Sequence, residues 1–412
     1  MIHTYILRAC LLMSGLLTFL YGQSPEELWK MALEENQRLQ ALRLEYQASL
    51  EKASQVSQLP NPEVGIGAFI LPVETRLGPQ RARVGVTQMF PWFGSLKAKE
   101  ALANTASREK LEMVTAEGLD IRYALTCSYL ELYKAYASQK IIRQNIELLG
   151  SIKSLAESKV SSGKATLADV IRLDILMEQL QKDIRLLENS KRNPTTAINH
   201  LLQRDLTNPV LVEDSMSFAS ELMMKDSIMA YIQEEHPVLN IYALQQQASM
   251  QASQISQLEG KPSFGLGMDY INTSPRTDAF PLNNGRDALQ FRVNVSLPIH
   301  RKKFQAKARE EVMRTEAIEI RKAEALSRFA AELEEIYTSY EEARLELASY
   351  EQQVKLTQAA VEVLTAAYSG ESTGFDDLLE MEAALLEYEL AKLGAVVKSQ
   401  RAKAGIQRYL AF

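Results

Sequence analysis

The sequence predicts a mainly α-helical chain that also carries two β-hairpins, one in each half of a duplicated unit. Three observations point there. Residues recur at a spacing of 200, as in Glu34/Glu234, Glu35/Glu235, Leu39/Leu239, Leu44/Leu244, Gln47/Gln247, Pro62/Pro262, Gly65/Gly265 and Gly67/Gly267. From Ile299 to Ser369 there is neither glycine nor proline. Four short stretches alternate apolar with small or polar residues and are fenced by Pro60, Pro62, Pro91, Pro262 and Pro298.

The first 22 residues differ from the rest: MIHTYILR carries one arginine, ACLLMSGLLTFL is a short apolar run, and Gly22 precedes QSPEELW. A signal peptide is expected over residues 1–22, its apolar segment too short to span a bilayer; the alternative is a buried N-terminal helix. Cys10 falls inside the apolar run, too early for a lipid-acceptor cysteine, so cleavage would leave Cys127 alone and no intrachain disulfide. No later stretch has the about 18 consecutive apolar residues of a transmembrane helix. A net charge of −6 argues against nucleic acid as a partner.

The repeat divides the remainder into residues 23–212 and 213–412. Each copy should run helix, hairpin, long helix, turn, long helix, with hairpins at about 63–90 and 262–298 and helix pairs at about 94–204 and 299–410. The ASQVSQL at 53–59 and ASQISQL at 252–258 mark the same helix end in both copies. Proline stops a helix and is tolerated only at strand starts or edges. In the first hairpin Val64, Ile66, Ala68 and Ile70 share a face opposite Gly65, Gly67 and Phe69, and Val84 and Val86 oppose Arg83, Gly85 and Thr87. In the second, Phe264, Leu266, Met268 and Tyr270 oppose Ser263, Gly265, Gly267 and Asp269, and Phe291, Val293, Val295 and Leu297 oppose Arg292, Asn294 and Ser296. Strands of about 8–10 residues come near the length that crosses a bilayer when tilted. The loops LPVETRLGPQRA and NTSPRTDAFPLNNGRDA carry the Pro, Gly and Asn of exposed turns.

The Gly- and Pro-free run would reach about 105 Å at about 1.5 Å per residue. Within it Leu326, Leu333, Tyr340, Leu347, Val354 and Val361 recur every seven residues, with Phe329, Ile336, Ala343, Tyr350, Thr357 and Leu364 at the companion position. That is a coiled-coil seam. Four strands cannot close a barrel alone, and an open sheet edge does not survive in lipid. Two copies would supply eight strands and a filled interior, three would supply twelve and a lumen. An inward face of Gly, Ser, Asn, Arg and Asp favours water inside, and so the trimer.

With these features, LPNPEVGIG at the entry of the first strand, GVTQMFPWFG at the exit of the second, and the paired turns SSGKATLADV and YSGESTGFDD, the chain resembles the TolC family of outer-membrane channels. The resemblance covers essentially the whole chain after the leader. It implies a trimeric twelve-stranded barrel in the outer membrane, continued by a helical coiled-coil tunnel through the periplasm. It implies an exit duct for an inner-membrane pump, first of all of the RND type, joined through a periplasmic adaptor (membrane fusion protein). FPWFG is similar to members that serve heavy-metal and other cation exporters. Type I protein secretion, or an exported coiled-coil protein without a pore, are the alternatives.

The resemblance places the two turns at the periplasmic tip, with Ser162, Gly163, Lys164, Thr166, Gly370, Glu371, Ser372 and Thr373 meeting the adaptor. A purely structural reading has them reverse the helix pairs, with Gly163 and Gly370 left-handed. Family members narrow the tip with a ring of aspartates; Asp376 matches, with Asp377 beside it, while the second family aspartate is Leu379 here and the neighbouring arginine is Ser372. Converging carboxylates attract cations, though acidic residues also favour any helix start. Trp92 and Phe93 suit either an aromatic belt at the membrane interface or a plug between barrel and helices. Lys97, Lys99, Arg301, Lys302 and Lys303 follow the second strand of each hairpin and are read as the periplasmic mouth or as a solvated helix start.

No enzyme is expected. The histidines His3, His200, His236 and His300 are scattered, and GIGAF and GLGMD lack the third glycine of a dinucleotide fingerprint. Neither a cofactor nor a metal site is expected.

Overall fold

The computed structural model describes residues 23–370 and 374–410; the expected signal peptide and Glu371, Ser372 and Thr373 lie outside the described residues. The first half holds α1 (Pro25–Glu35), α2 (Gln37–Val56), β1 (Glu63–Val73), β2 (Gln80–Phe90), α3 (Ser95–Ser161), α4 (Leu167–Ser190) and α5 (Arg192–Leu201). The second holds α6 (Lys225–Glu235), α7 (Pro237–Glu259), β3 (Ser263–Thr273), β4 (Ala288–Ser296), α8 (Lys302–Gly370) and α9 (Phe375–Gln407).

The single opening helix expected in each copy is two helices. Ser24 starts α1 with a capping box: its Oγ accepts from the Glu27 N–H at 3.3 Å while the Ser24 N–H donates to the Glu27 carboxylate at 3.1 Å. Asn36 then breaks the run, its Oδ1 accepting from the N–H groups of Arg38 and Leu39 and its Nδ2 donating to the Leu201 carbonyl. At the repeat-related position His236 separates α6 from α7, buried between the rings of Phe329 at 4.9 Å and Tyr409 at 5.8 Å. Proline at 237 opens α7, as suits a first helical position. Burial and the nearby Arg408 hold the His236 imidazole down at about 4, so it is neutral at physiological pH.

The contacts divide the chain into two units, each drawing on both halves of the sequence. One contains residues up to Ala41, Thr115–Pro237 and Leu326 onward; the other contains Leu42–Val114 and Val238–Ala325. In the first unit α3, α4, α8 and α9 share a core that includes Leu149, Leu173, Val361, Tyr368, Leu378 and Leu385. The heptad seam of α8 lies where the periodicity placed it. Leu333 and Ala343 are completely buried, and each of the other ten seam positions is buried or half-buried.

In the second unit β1-β2-β3-β4 form one antiparallel sheet in that order. The strands are 11, 11, 11 and 9 residues long, slightly longer than expected. The two hairpin loops are tied together: the Ser274 N–H donates to the Pro79 carbonyl at 2.9 Å and the Gly285 N–H to that of Leu77 at 2.7 Å. The pairing of β1 with β2 is irregular beyond Ala68; Phe69 is half-buried between exposed Ala68 and Ile70, as the alternation expects, and Leu71, exposed next to Ile70, ends it.

Candidate functional site

The sheet is polar within and apolar without. Ile66 is 82 % exposed, Phe291 77 % and Val293 69 %, whereas Asp269 is 1 % exposed. Leu266, Met268 and Tyr270 share the exposed face, and Thr87 and Thr273 share the buried one. A sheet folded for water would have the opposite arrangement, because apolar area gains about 25 cal/mol for each Å² it removes from water.

The register explains the glycines. Three charged residues on the inner face stand directly across from one: Arg83 from Gly67, Asp269 from Gly85, Arg292 from Gly267. At Gly85 and Gly267 a side chain from the neighbouring strand therefore lies over the glycine, whereas Gly67 faces open space. A Cβ at Gly85 would sit 2.0 Å from Asp269 Oδ1, and one at Gly267 would sit 3.0 Å from Thr87 Oγ1 and 3.4 Å from the Arg292 guanidinium. Asp269 is clamped by Arg83 at 3.0 Å and Arg292 at 3.4 Å, and Arg292 also donates to Thr87 Oγ1 at 3.0 Å. The group lines a cavity of about 360 Å³ with Gly65 and Gly67.

Trp92 and Phe93 sit just beyond β2. Trp92 is half-buried, 6.0 Å from the ring of Phe264 at the start of β3, and Phe93 is 80 % exposed. One aromatic packs and the other faces outward.

The two helical turns belong to the other unit and lie side by side. Ser162, Gly163 and Lys164 link α3 to α4, with Gly163 left-handed at φ 74°. The Lys164 N–H closes the turn on the Lys159 carbonyl at 2.8 Å. Thr166 precedes α4, its N–H donating to the Asp169 carboxylate at 3.0 Å. In the second turn Gly370 is the last residue of α8 and is not left-handed; that role falls to Gly374, at φ 90° immediately before α9. The expectation for Gly370 is thus corrected: the residue that must reverse direction is the one abutting the new helix. Asp376 and Asp377 occupy the first turn of α9, where the helix dipole favours acid.

Contacts across the turns involve residues that sequence reasoning missed. Lys159 lies over the ring of Tyr368 at 5.0 Å, and Tyr368 packs on Phe375 at 5.4 Å. Arg172 of α4 forms a salt bridge with Asp376. Tyr368 continues the α8 seam seven residues beyond Val361, so the heptads held its signal. Nothing local marks Arg172. Beside Asp377, an apolar groove of about 610 Å³ runs between α8 and α9, lined by Ala359, Ala360, Val363, Leu364 and Met381.

Farther along α9, Glu382 is 1 % exposed and neither carboxylate oxygen has a hydrogen-bond partner. Burial, helped by the charge of Glu389, pushes its carboxyl up to about 7. Glu389 is itself raised by burial.

No protein-family model matches the sequence, and no curated protein does. Solved structures do match in fold. The outer-membrane channel OprN is 17 % identical with a TM-score of 0.75, over 93 % of this chain and 89 % of that one. CusC, described in terms of folding and transmembrane channel formation, is 15 % identical with a TM-score of 0.76, over 95 % of both chains. The open-state MtrE outer-membrane channel of Neisseria gonorrhoeae is 14 % identical with a TM-score of 0.73, over 93 % of this chain and 88 % of that one. At these identities the likeness establishes a shared fold along nearly the entire chain.

Proposed function

We propose that this protein is the outer-membrane duct of a tripartite efflux system, a passive channel that performs no chemistry. The observation that carries this reading is the inverted sheet: Ile66, Phe291 and Val293 are exposed where Asp269 is buried. Such a face belongs against lipid and such an interior against water. The sheet has unpaired edges at β1 and β4, which lipid does not tolerate. Three copies joined edge to edge give a twelve-stranded closed wall with a water-filled lumen.

The helices occupy the periplasm, and the two turns are the tip that faces the adaptor. There Ser162, Gly163, Lys164, Thr166, Gly370, Glu371, Ser372 and Thr373 meet the helical hairpins of a periplasmic adaptor, which an RND-type inner-membrane pump engages in turn. The apolar groove beside Asp377 is shaped for an amphipathic helix. Asp376, repeated threefold, constricts the opening, and its bond to Arg172 holds the turns closed. The arginine absent from position 372 is replaced from the other half of the chain. Docking of the adaptor separates the pair and widens the pore.

The test is extraction and conductance. The protein should require detergent, run as a heat-modifiable trimer and form ion-conducting channels in planar bilayers. A monomeric, water-soluble chain without conductance would overturn the reading.

A further inference from the structure

We infer that the helix-side edge of the sheet is a binding rim for anionic phospholipid headgroups; the inference rests on the reading of the sheet as a membrane wall. The register brings Phe90 opposite Phe264 and Ser263 opposite Ser296, so the end of β2, the start of β3 and the end of β4 share one edge. Both very long helices begin there, and both begin with the wrong charge. Neither α3 nor α8 has an acidic residue in its first turn. Lys97 stands in the first turn of α3, and Lys302 and Lys303 open α8 directly after Arg301. A helix N-terminus repels cations; α1, α4, α6 and α9 carry acid in the first turn, whereas α2, α5 and α7, like α3 and α8, carry none.

The charges at the start of α8 are also uncompensated. Lys99 is paired with Glu259 at 2.8 Å and Lys307 with Glu311 at 3.1 Å. Arg301, Lys302 and Lys303 are all exposed, and among the described residues none has an acidic partner within 4.0 Å. The opposite, loop-side edge mixes both signs: four arginines, Arg76, Arg81, Arg276 and Arg286, are interspersed with three acids, Glu74, Asp278 and Asp287, and Arg276 pairs with Asp278 at 2.5 Å.

What stands next to the basic cluster identifies the occupant. Leu297 is 63 % exposed and Ile299 77 %, both in the segment that leads from the end of β4 to Arg301. Phe93 projects from the same edge beside Trp92. Apolar anchors running directly into unpaired cations match a phospholipid, with acyl chains below and a phosphate above. A net-negative headgroup such as phosphatidylglycerol satisfies them, whereas the ammonium of phosphatidylethanolamine cancels its own phosphate. The preference is worth roughly fivefold for each cation and should weaken as salt rises.

The chain has two tryptophans, Trp29 and Trp92, so Trp29→Phe leaves a single fluorophore at the rim. The variant is reconstituted into vesicles containing either brominated phosphatidylglycerol or brominated phosphatidylethanolamine. Preferential quenching of Trp92 by brominated phosphatidylglycerol is expected, on the order of tenfold or more in relative association. Combined Arg301→Gln, Lys302→Gln and Lys303→Gln substitutions should abolish it. Equal quenching by the two lipids overturns the inference while leaving the membrane wall intact. Quenching by neither also overturns the rim, and leaves the membrane reading to the extraction and conductance test, because Trp92 packs against Phe264. Loss of the preference on adding inorganic phosphate would make the rim a site for free phosphate and also overturns the inference. Should Trp29→Phe fold poorly, native mass spectrometry of the unaltered protein from mixed lipid micelles gives the same decision: selective retention of phosphatidylglycerol supports the rim, and equal retention overturns it.

Discussion

The guanidinium of Arg172 on α4 holds the carboxylate of Asp376 on α9, a bond between residues 204 positions apart that joins the two helical turns. Both side chains are more than half exposed. An exposed pair contributes only about 0–1 kcal/mol to stability, so on the proposed duct reading its removal should act on the pore and not on the fold. Arg172→Gln and Asp376→Asn should each raise the open probability in planar bilayers with little change in thermal midpoint. Asp376→Asn should also reduce cation preference, whereas Arg172→Gln should not. Unchanged opening in both variants would remove the pair from the gate.

The inner-face glycines differ in how much room they have. Gly85→Ala forces a Cβ to within 2.0 Å of the Asp269 carboxylate. Displacing that carboxylate strains its contacts with Arg83 and Arg292, whose side chains are 40 % and 32 % exposed, at a cost of about 1–3 kcal/mol. Gly67→Ala meets no heavy atom within 4 Å. Electrophoresis of unheated samples should show the assembled species lost for Gly85→Ala and retained for Gly67→Ala.

Glu382 makes stability depend on pH in an unusual direction. Its carboxyl is raised from 4.5 to about 7 in the folded state. The neutral form is therefore favoured on folding, and its contribution is complete below pH 4.5 and lost as pH rises through about 7. Glu382→Gln keeps the neutral shape, so it should flatten this decline and stabilise the protein at pH 8 by roughly 2–3 kcal/mol. Thermal unfolding of both proteins from pH 5 to 8 checks it; parallel curves would refute the assignment.

Seam and surface on α8 should separate cleanly. Leu333 is fully buried, while Leu345 is 67 % exposed. Leu333→Ala should cost about 2–5 kcal/mol by leaving a cavity, whereas Leu345→Ala should change the unfolding midpoint very little.

Features set by a local period are legible in the sequence. Leu326 to Val361 repeat every seven residues because one face of α8 must stay against its neighbours, and the strand faces alternate because the pleat has a period of two. Features set by a distant partner are not. Asp269 looked like one polar residue among several; its burial follows from Arg83 and Arg292 on strands that flank it. Arg172 lies in an ordinary amphipathic helix and acquires its role only when α4 comes beside α9. The break at His236 was hidden because helix-favouring residues continue on both sides, and what stabilises it, the rings of Phe329 and Tyr409, comes from far along the chain. Gly370 and Gly374 lie in one turn, and the repeat match drew attention to the wrong one.

The inside-out sheet also constrains the life of the newly made chain. A single copy in water presents Ile66, Ile70, Phe291 and Val293 together with two unpaired strand edges. Exposed apolar strands with open edges are templates for aggregation. The helices can form wherever water is present, but on the proposed membrane reading the hairpins have no safe resting state until lipid and sister copies cover them. Holdase chaperones should therefore bind residues 63–90 and 263–296 in preference to the helices, and the time a chain spends unassembled, more than its final stability, should limit its yield.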